Sequence, residues 1–194
     1  MQSIAALLDS HRSETAWIFG KGPGLDICDL GSIGSLRICI NESALVVPKP
    51  TCFFAHDEQP IKRVAAGWPA GCLAILQSPR AELAVRCGIP TNSIFTYEKR
   101  QREPEILDWS AEKIATESTL LGLTGTVHSA LHFCKLIGVV SIVFVGMNGG
   151  GGYARCIGQD TPLGGGQHNV IRKDSIYIVK RLGLDFRFLE EAQS

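Results

Sequence analysis

Charge of neither sign is in surplus in this sequence: 19 lysines and arginines stand against 19 aspartates and glutamates. The balance removes the broad basic field on which non-specific binding to nucleic acid or to an acidic membrane depends, so no nucleic-acid partner is expected. A cysteine framework is missing too. The seven cysteines, Cys28, Cys39, Cys52, Cys72, Cys87, Cys134 and Cys156, are scattered and odd in number, with no C-x-x-C pair and no short Cys/His knuckle. That excludes a disulfide scaffold or a zinc module and implies the reduced, mostly buried thiols of a cytoplasmic protein. No apolar run reaches the ~18 residues that a membrane helix needs, and Asp9 interrupts the start before a signal-length apolar segment forms. A chain of 194 residues can bury one proper core, which sets the expectation of a single soluble domain over residues 1–194.

What is present is a recurrent pattern. Apolar, β-branched runs fall at Ala16–Phe19, Leu36–Ile40, Cys52–Ala55, Cys72–Leu76, Ile94–Tyr97, Ser141–Val145 and Leu184–Leu189. Most are continuous rather than alternating, as strands covered on both faces require. Helical spacing lies between several of them, at Ile61–Ala66, Ala81–Cys87, Val127–Ile137 and Val170–Leu182. Strands alternating with helices predict an α/β fold with a doubly wound, mainly parallel sheet of Rossmann-like class. In "TGTVHSALHFCKLIGVVSIVFVG", Val127, Ala130, Leu131, Cys134 and Ile137 share one helical stripe, Gly138 supplies a left-handed stop, and Ile142–Val145 is a buried strand. "LDFRFL" alternates, which predicts an edge strand after the stop at Gly183. Glu98–Glu117 is polar, carries Pro104, and is expected to be a lid or an excursion between sheet halves.

The first apolar run ends in "FGKGPGLDICDL". In an open α/β sheet, ligands sit beyond the carboxyl ends of the strands, where the first turn presents backbone N–H groups. Gly20, Gly22 and Gly24 let a backbone approach an anion, Pro23 stiffens the turn, and Lys21 adds a counter-charge. The turn is neither G-x-G-x-x-G nor the Walker pattern G-x-x-x-x-G-K-[ST], so neither of those phosphate loops is supported. A plain glycine turn after a strand is the alternative.

This stretch resembles the Gly-x-Gly-Pro-Ser-Leu turn of two related groups. One is the bacterial sialyltransferases with a Rossmann-type nucleotide domain; the other is the domain family that includes the archaeal 6-hydroxymethyl-dihydropterin diphosphokinase. Three further stretches follow in the same order: "RICINES", "CFFAHDE" and "LTGTVHSALHFCKLIGVVSIVFVGMNG", so that the resemblance spans Ala16 to Gly149. The chain departs from the pattern at Gly24, where the families carry Ser, and at Asn148, where they carry Asp. Each change removes a group that would touch the nucleotide or help to hold a metal.

The resemblance implies a nucleotide-dependent transferase, most concretely a sialyltransferase-like glycosyltransferase that takes a nucleotide-sugar donor and a small-molecule or glycan acceptor. It places Gly20, Lys21, Gly22, Pro23, Gly24, Thr124, Gly125, Thr126 and Asn148 around the nucleotide. The third stretch ends in a polar residue, His56 or Asp57; by the resemblance Asn41 would meet the base or ribose, and Asp57, counted with the catalytic residues, the ribose, the substrate or a magnesium ion. As ordinary structure, Asn41 is a strand-ending turn residue and Asp57 a helix N-cap; Thr126 likewise marks a helix start with or without an anion. His128 and His132 share one helix face at i,i+4 spacing but have no Glu between them, and are expected to be packed rather than to ligate metal.

"GMNGGGGYARCIGQDTPLGGGQHNVIRKD" holds seven glycines in two clusters and is expected to be a substrate-covering loop, with Tyr153, Arg155, Asp160 and His168 as its chemistry. By the resemblance His168 is the general base toward an acceptor hydroxyl, a task that suits an imidazole. No cofactor is then required. The alternative reaction, diphosphoryl transfer from ATP to a pterin-like alcohol, would need Mg2+ on Asp57 and Asp160. A third reading is a binding module without catalysis. The chain is short beside sialyltransferases of this motif order, which implies a homo-oligomer whose second subunit completes the acceptor site.

Overall fold

The computed structural model describes residues 1–101, 103–147, 152–158 and 165–189, with 165–168 described by their backbone alone. In chain order the elements are β1 (Gln2–Ser3), β2 (Thr15–Phe19), α1 (Gly24–Ile27), β3 (Arg37–Ile40), β4 (Cys52–Ala55), α2 (Glu58–Ala66), β5 (Leu73–Gln77), α3 (Ser78–Arg86) and β6 (Ile94–Gln101). They continue with α4 (Ala111–Glu117), β7 (Thr119–Gly122), α5 (Thr126–Leu136), β8 (Ser141–Val145), α6 (Gly165–Arg181) and β9 (Asp185–Phe188). The nine strands form one sheet in the order β1-β6-β5-β4-β3-β2-β8-β9, with β7 also on β6. Every pairing is parallel. The fold is therefore α/β and doubly wound, as the run-and-helix pattern predicts.

Alternate residues of each strand feed two separate cores. Ile18, Ile38, Ile40, Phe54, Ile75, Tyr97 and Phe144 pack with α4, α5 and α6 on one face. Phe19, Cys39, Phe53, Ala55, Ala74, Leu76 and Val145 pack with α2 and α3 on the other. Phe54 sets its ring edge-on to Phe133 of α5 at 5.3 Å between centroids; full burial of such a ring contributes about 1.5–3 kcal/mol and the aromatic pairing about 0.5–1.5 kcal/mol more. Two-sided coverage is why these strands read as unbroken apolar runs. No helix among the described residues is long and apolar enough to cross a membrane.

The winding fixes where a ligand can sit. From β2 the chain steps through β3, β4, β5 and β6 in one direction, then returns so that β8 flanks the other side of β2. Strand order thus reverses between β2 and β8, and the crevice outside the carboxyl ends of those strands is the binding place that such sheets provide.

Three expectations need correction. Glu98–Glu117 is no lid between sheet halves: its first residues extend β6 to Gln101, Pro104–Asp108 form a 3-10 turn, and α4 follows. Burial of Ile106, Leu107, Ile114 and Ala115 holds this polar segment to the core beside β7. The short strand β7 lies buried on both faces although no long apolar run announces it. The last helix starts at Gly165, not Val170, so His168 belongs to its first turn rather than to a loop. Buried Ser175, Ile178 and Val179 anchor that helix, and packing of this kind overrides the poor propensity of two leading glycines.

Candidate functional site

The glycine turn after β2 closes on β8. Gly20 N–H donates to the Val145 carbonyl and Gly22 N–H to the Gly146 carbonyl, both at 2.8 Å. A Cβ on Gly20 would lie 2.5 Å from Gly146 O and 2.7 Å from Met147 Cγ. Gly146, with φ of +65°, would place a Cβ 3.0 Å from Gly22 O. Two turns of the switch point thus meet backbone to backbone, where only glycine fits. Pro23 leads into α1, whose first residue Gly24 is buried.

Lys21 faces an internal partner. Its Nζ lies 3.0 Å from Glu42 Oε2, with side chains 14% and 4% exposed, and Arg63 reaches Glu42 Oε1 at 3.4 Å. The Lys21 ammonium also sits 4.1 Å from the Tyr153 ring centroid, and the Lys21 carbonyl accepts the Ala154 N–H. Asp26 of α1 accepts the N–H groups of Arg155 and Cys156 at 2.7 and 3.0 Å. Those bonds hold its carboxyl below the usual carboxylate range, while burial and the Asp26 charge raise the Cys156 thiol to about 11. Tyr153 and Arg155, expected in a covering loop, are therefore tied down over the glycine turn.

Along the neighbouring strands the polar groups are arranged differently. Asn41, directly after β3, holds a left-handed backbone with φ of +57°. Its Oδ1 is buried and has no hydrogen-bond partner among the described residues. His56 follows β4 and sets Nε2 3.0 Å from Tyr97 Oη and 3.1 Å from Ser129 Oγ; Ser129 Oγ in turn donates to the Leu121 carbonyl at 2.8 Å. Burial first, then the charges of Lys99 and His128, push the His56 imidazole down to about 3, so it is uncharged at neutral pH. Burial likewise lowers Lys99, against the opposing pull of Asp57. The stem of Lys99 lies across Gly122, where a Cβ would come within 2.1 Å of Cε. Asp57 begins α2 as its N-cap residue, yet its exposed carboxylate makes no capping bond.

Thr124, Gly125 and Thr126 lead into α5 as expected, but two of their polar groups are already paired within the protein. Thr124 Oγ1 donates to Asp174 of α6, and Gly125 N–H donates to His128 Nδ1. His128 and His132 are both fully buried. His132 Nδ1 accepts the Leu121 N–H at 3.0 Å, and burial together with Lys135 lowers its imidazole to about 4, against the Ile106 carbonyl. The single stripe expected on α5 understates its burial, because α5 is enclosed by the sheet, α4 and α6. Asn148 and Asp160 lie outside the described residues, as does the side chain of His168. Among the described residues no group of three or more His, Cys, Asp or Glu side chains is placed to hold a metal ion.

The crevice brings together Gly20, Lys21, Gly22, Asn41 and Asp57 at strand ends, and adds residues that the motifs did not flag as site residues: Glu42, Tyr97, Lys99 and Ser129. The ends of the apolar runs Ile94–Tyr97 and Leu36–Ile40 were the available signal for Tyr97 and Glu42, although β6 itself continues to Gln101; the others depend on tertiary contact. No family model matches the chain, and no curated protein matches it significantly.

Proposed function

We propose that the protein is a nucleotide-dependent transferase whose donor lies across the carboxyl ends of β2, β3 and β8, with sugar transfer from a nucleotide sugar as its chemistry. The observation that carries this reading is Asn41. A left-handed asparagine whose buried side-chain oxygen lacks a partner combines backbone strain with an unmet hydrogen bond, and such groups collect at ligand sites. It stands one strand from the reversal of the sheet, where a ribose hydroxyl or a base amino group would supply the missing donor.

The resemblance to sialyltransferases supplies the rest of the mechanism. The acceptor hydroxyl attacks the sugar carbon that carries the phosphate, His168 takes the hydroxyl proton, and the nucleotide leaves with the bonding electrons. Lys99 acts electrostatically on His56, and Arg80 donates to the His56 carbonyl, so two cations lie near this side of the crevice. No metal takes part in this scheme.

Binding without turnover is the second reading, and one arrangement favours it. The turn that would cradle the phosphate gives the N–H groups of Gly20 and Gly22 to Val145, the last residue of β8, and to Gly146 after it, and Lys21 to Glu42. A thermal-shift screen of nucleotides and nucleotide sugars, with and without magnesium, tests the proposal, since a ligand of the folded state raises its apparent stability. A metal-independent rise with a cytidine or uridine compound is the expected result. A rise that needs both ATP and magnesium points instead to diphosphoryl transfer, and no rise with any compound rejects nucleotide binding.

A further inference from the structure

His56 is unusual for an imidazole at a strand end: one of its nitrogens is fixed by two buried hydroxyls and the other is left open. The proton count assigns the tautomer. Ser129 Oγ gives its only proton to the Leu121 carbonyl, so toward His56 it can only accept. The tautomer in which both contacts are hydrogen bonds carries the ring proton on Nε2, shared between Ser129 Oγ and Tyr97 Oη. Both hydroxyl residues are at most 1% exposed, so the clamp is part of the rigid core. Nδ1 is left as a bare lone pair. Nothing among the described residues donates to it, and it is not one of the buried unpartnered atoms, so solvent reaches it.

We propose that His56 Nδ1 is the hydrogen-bond acceptor that docks a hydroxyl of the acceptor substrate, held in a single tautomer by Tyr97 and Ser129. This inference rests on the transferase reading for the name "acceptor", but its geometry does not. The surroundings keep the ring uncharged: Lys99 on β6 and His128 on α5 act on it directly, and Arg80 of α3 donates to its carbonyl at 3.0 Å. The carboxylate of Asp57, next in the chain, bears on Lys99. A ring that does not charge between pH 5 and 8 offers the same acceptor throughout, and it selects a neutral donor such as an alcohol over an anion. His56 is thus a specificity-determining residue, placed to orient the hydroxyl, while the proton-accepting part belongs to His168 in the reading above.

Carbethoxylation of the wild-type protein with diethylpyrocarbonate, followed residue by residue by mass spectrometry, tests this, because the reagent attacks only an uncharged and accessible imidazole nitrogen. An ordinary imidazole, added as N-acetylhistidine, should react roughly 25-fold faster at pH 7 than at pH 5, as its neutral fraction grows. At His56 the expected rate changes less than about two-fold over the same range, and galactose or glycerol in excess slows it without slowing the N-acetylhistidine. Failure of His56 to react overturns the proposal, since Nδ1 would then be covered. A rate that follows N-acetylhistidine with pH overturns it also, and a rate indifferent to both polyols rejects hydroxyl docking. Should the nucleotide screen fail while His56 reacts as expected and the polyols protect it, the transferase reading falls and the hydroxyl site stands.

Discussion

The two sides of the crevice differ in how much of their polar chemistry is already satisfied. On the β2/β8 side, the glycine turn bonds to β8, Lys21 pairs with Glu42, and Asp26 holds the Arg155–Cys156 backbone. On the β3/β4 side, Asn41 Oδ1 lacks a partner among the described residues and His56 leaves Nδ1 bare. The side richest in motif is thus the closed one. Glycines there serve close backbone approach between two turns, whereas the unsatisfied polar atoms belong to side chains at the ends of the adjacent strands. A third region, the cavity lined by Thr15, Ser141, Asp185 and Arg187, opens at the amino ends of the strands and so lies at the edge opposite to both.

Closure of the β2/β8 side can be attacked directly. Gly20→Ala forces a Cβ into the Gly146 carbonyl, and overpacking against backbone should cost about 3 kcal/mol, a fall of about 6–12 °C in Tm. Gly71→Ala is the matched control: its φ of +78° is strained but nothing lies within 4 Å, so about 1 kcal/mol is expected. Equal losses in calorimetry would show that the contact between the two turns is not tight. Glu42→Gln leaves Lys21 without its carboxylate. Breaking a fully buried pair costs about 3–5 kcal/mol, but Arg63 is half exposed and screened, so about 2 kcal/mol is expected by urea unfolding. A neutral result would mean that this side is held by backbone alone.

The open side should contribute to acid sensitivity through His56, beside the buried His128 and His132 of α5, which burial also lowers. His56 is lowered to about 3 in the folded protein, against about 6.5 in the unfolded chain. The unfolded state therefore binds the proton first, and the stability contributed by this group is complete above pH 6.5 and lost as pH falls toward 3. The share of the slope due to His56 is about 1.4 kcal/mol per pH unit in that window, so His56→Gln should reduce the wild-type slope by that amount while the contributions of His128 and His132 remain. A wild-type profile level between pH 6.5 and 5 contradicts the buried, neutral ring.

The doubly wound sheet was legible because strands buried on both faces must be apolar without a break, as Cys52–Ala55 and, after Ser141, Ile142 to Val145 are. β7 escaped because four residues behind a polar helix carry too short a run to stand out. The early start of α6 was hidden by Gly165 and Gly166, whose weak propensity is outvoted by distant packing. At the site, strand-end position pointed to Asn41 and Asp57. It could not reveal that Lys21 would find Glu42, or that Ser129, midway along a helix, would fix the ring of a histidine seventy-three residues away. Those pairings are set by the three-dimensional neighbourhood of the strand ends, which no local pattern encodes.

The proposed function predicts that, within the crevice, the unpartnered Asn41 carries more of the affinity for a nucleotide than Lys21 of the glycine turn, whose ammonium already pairs with Glu42. It is tested most directly by titrating cytidine and uridine nucleotides into the wild type, Asn41→Gly and Lys21→Met by calorimetry. Glycine accepts the left-handed backbone at position 41 without strain, so that variant should be at least as stable as the wild type while losing affinity by at least about ten-fold, the value of one hydrogen bond of about 1.4 kcal/mol. Lys21→Met should bind within about two-fold of the wild type, a difference of under about 0.5 kcal/mol. Binding that survives in Asn41→Gly and disappears in Lys21→Met would contradict the account and return the site to the glycine turn.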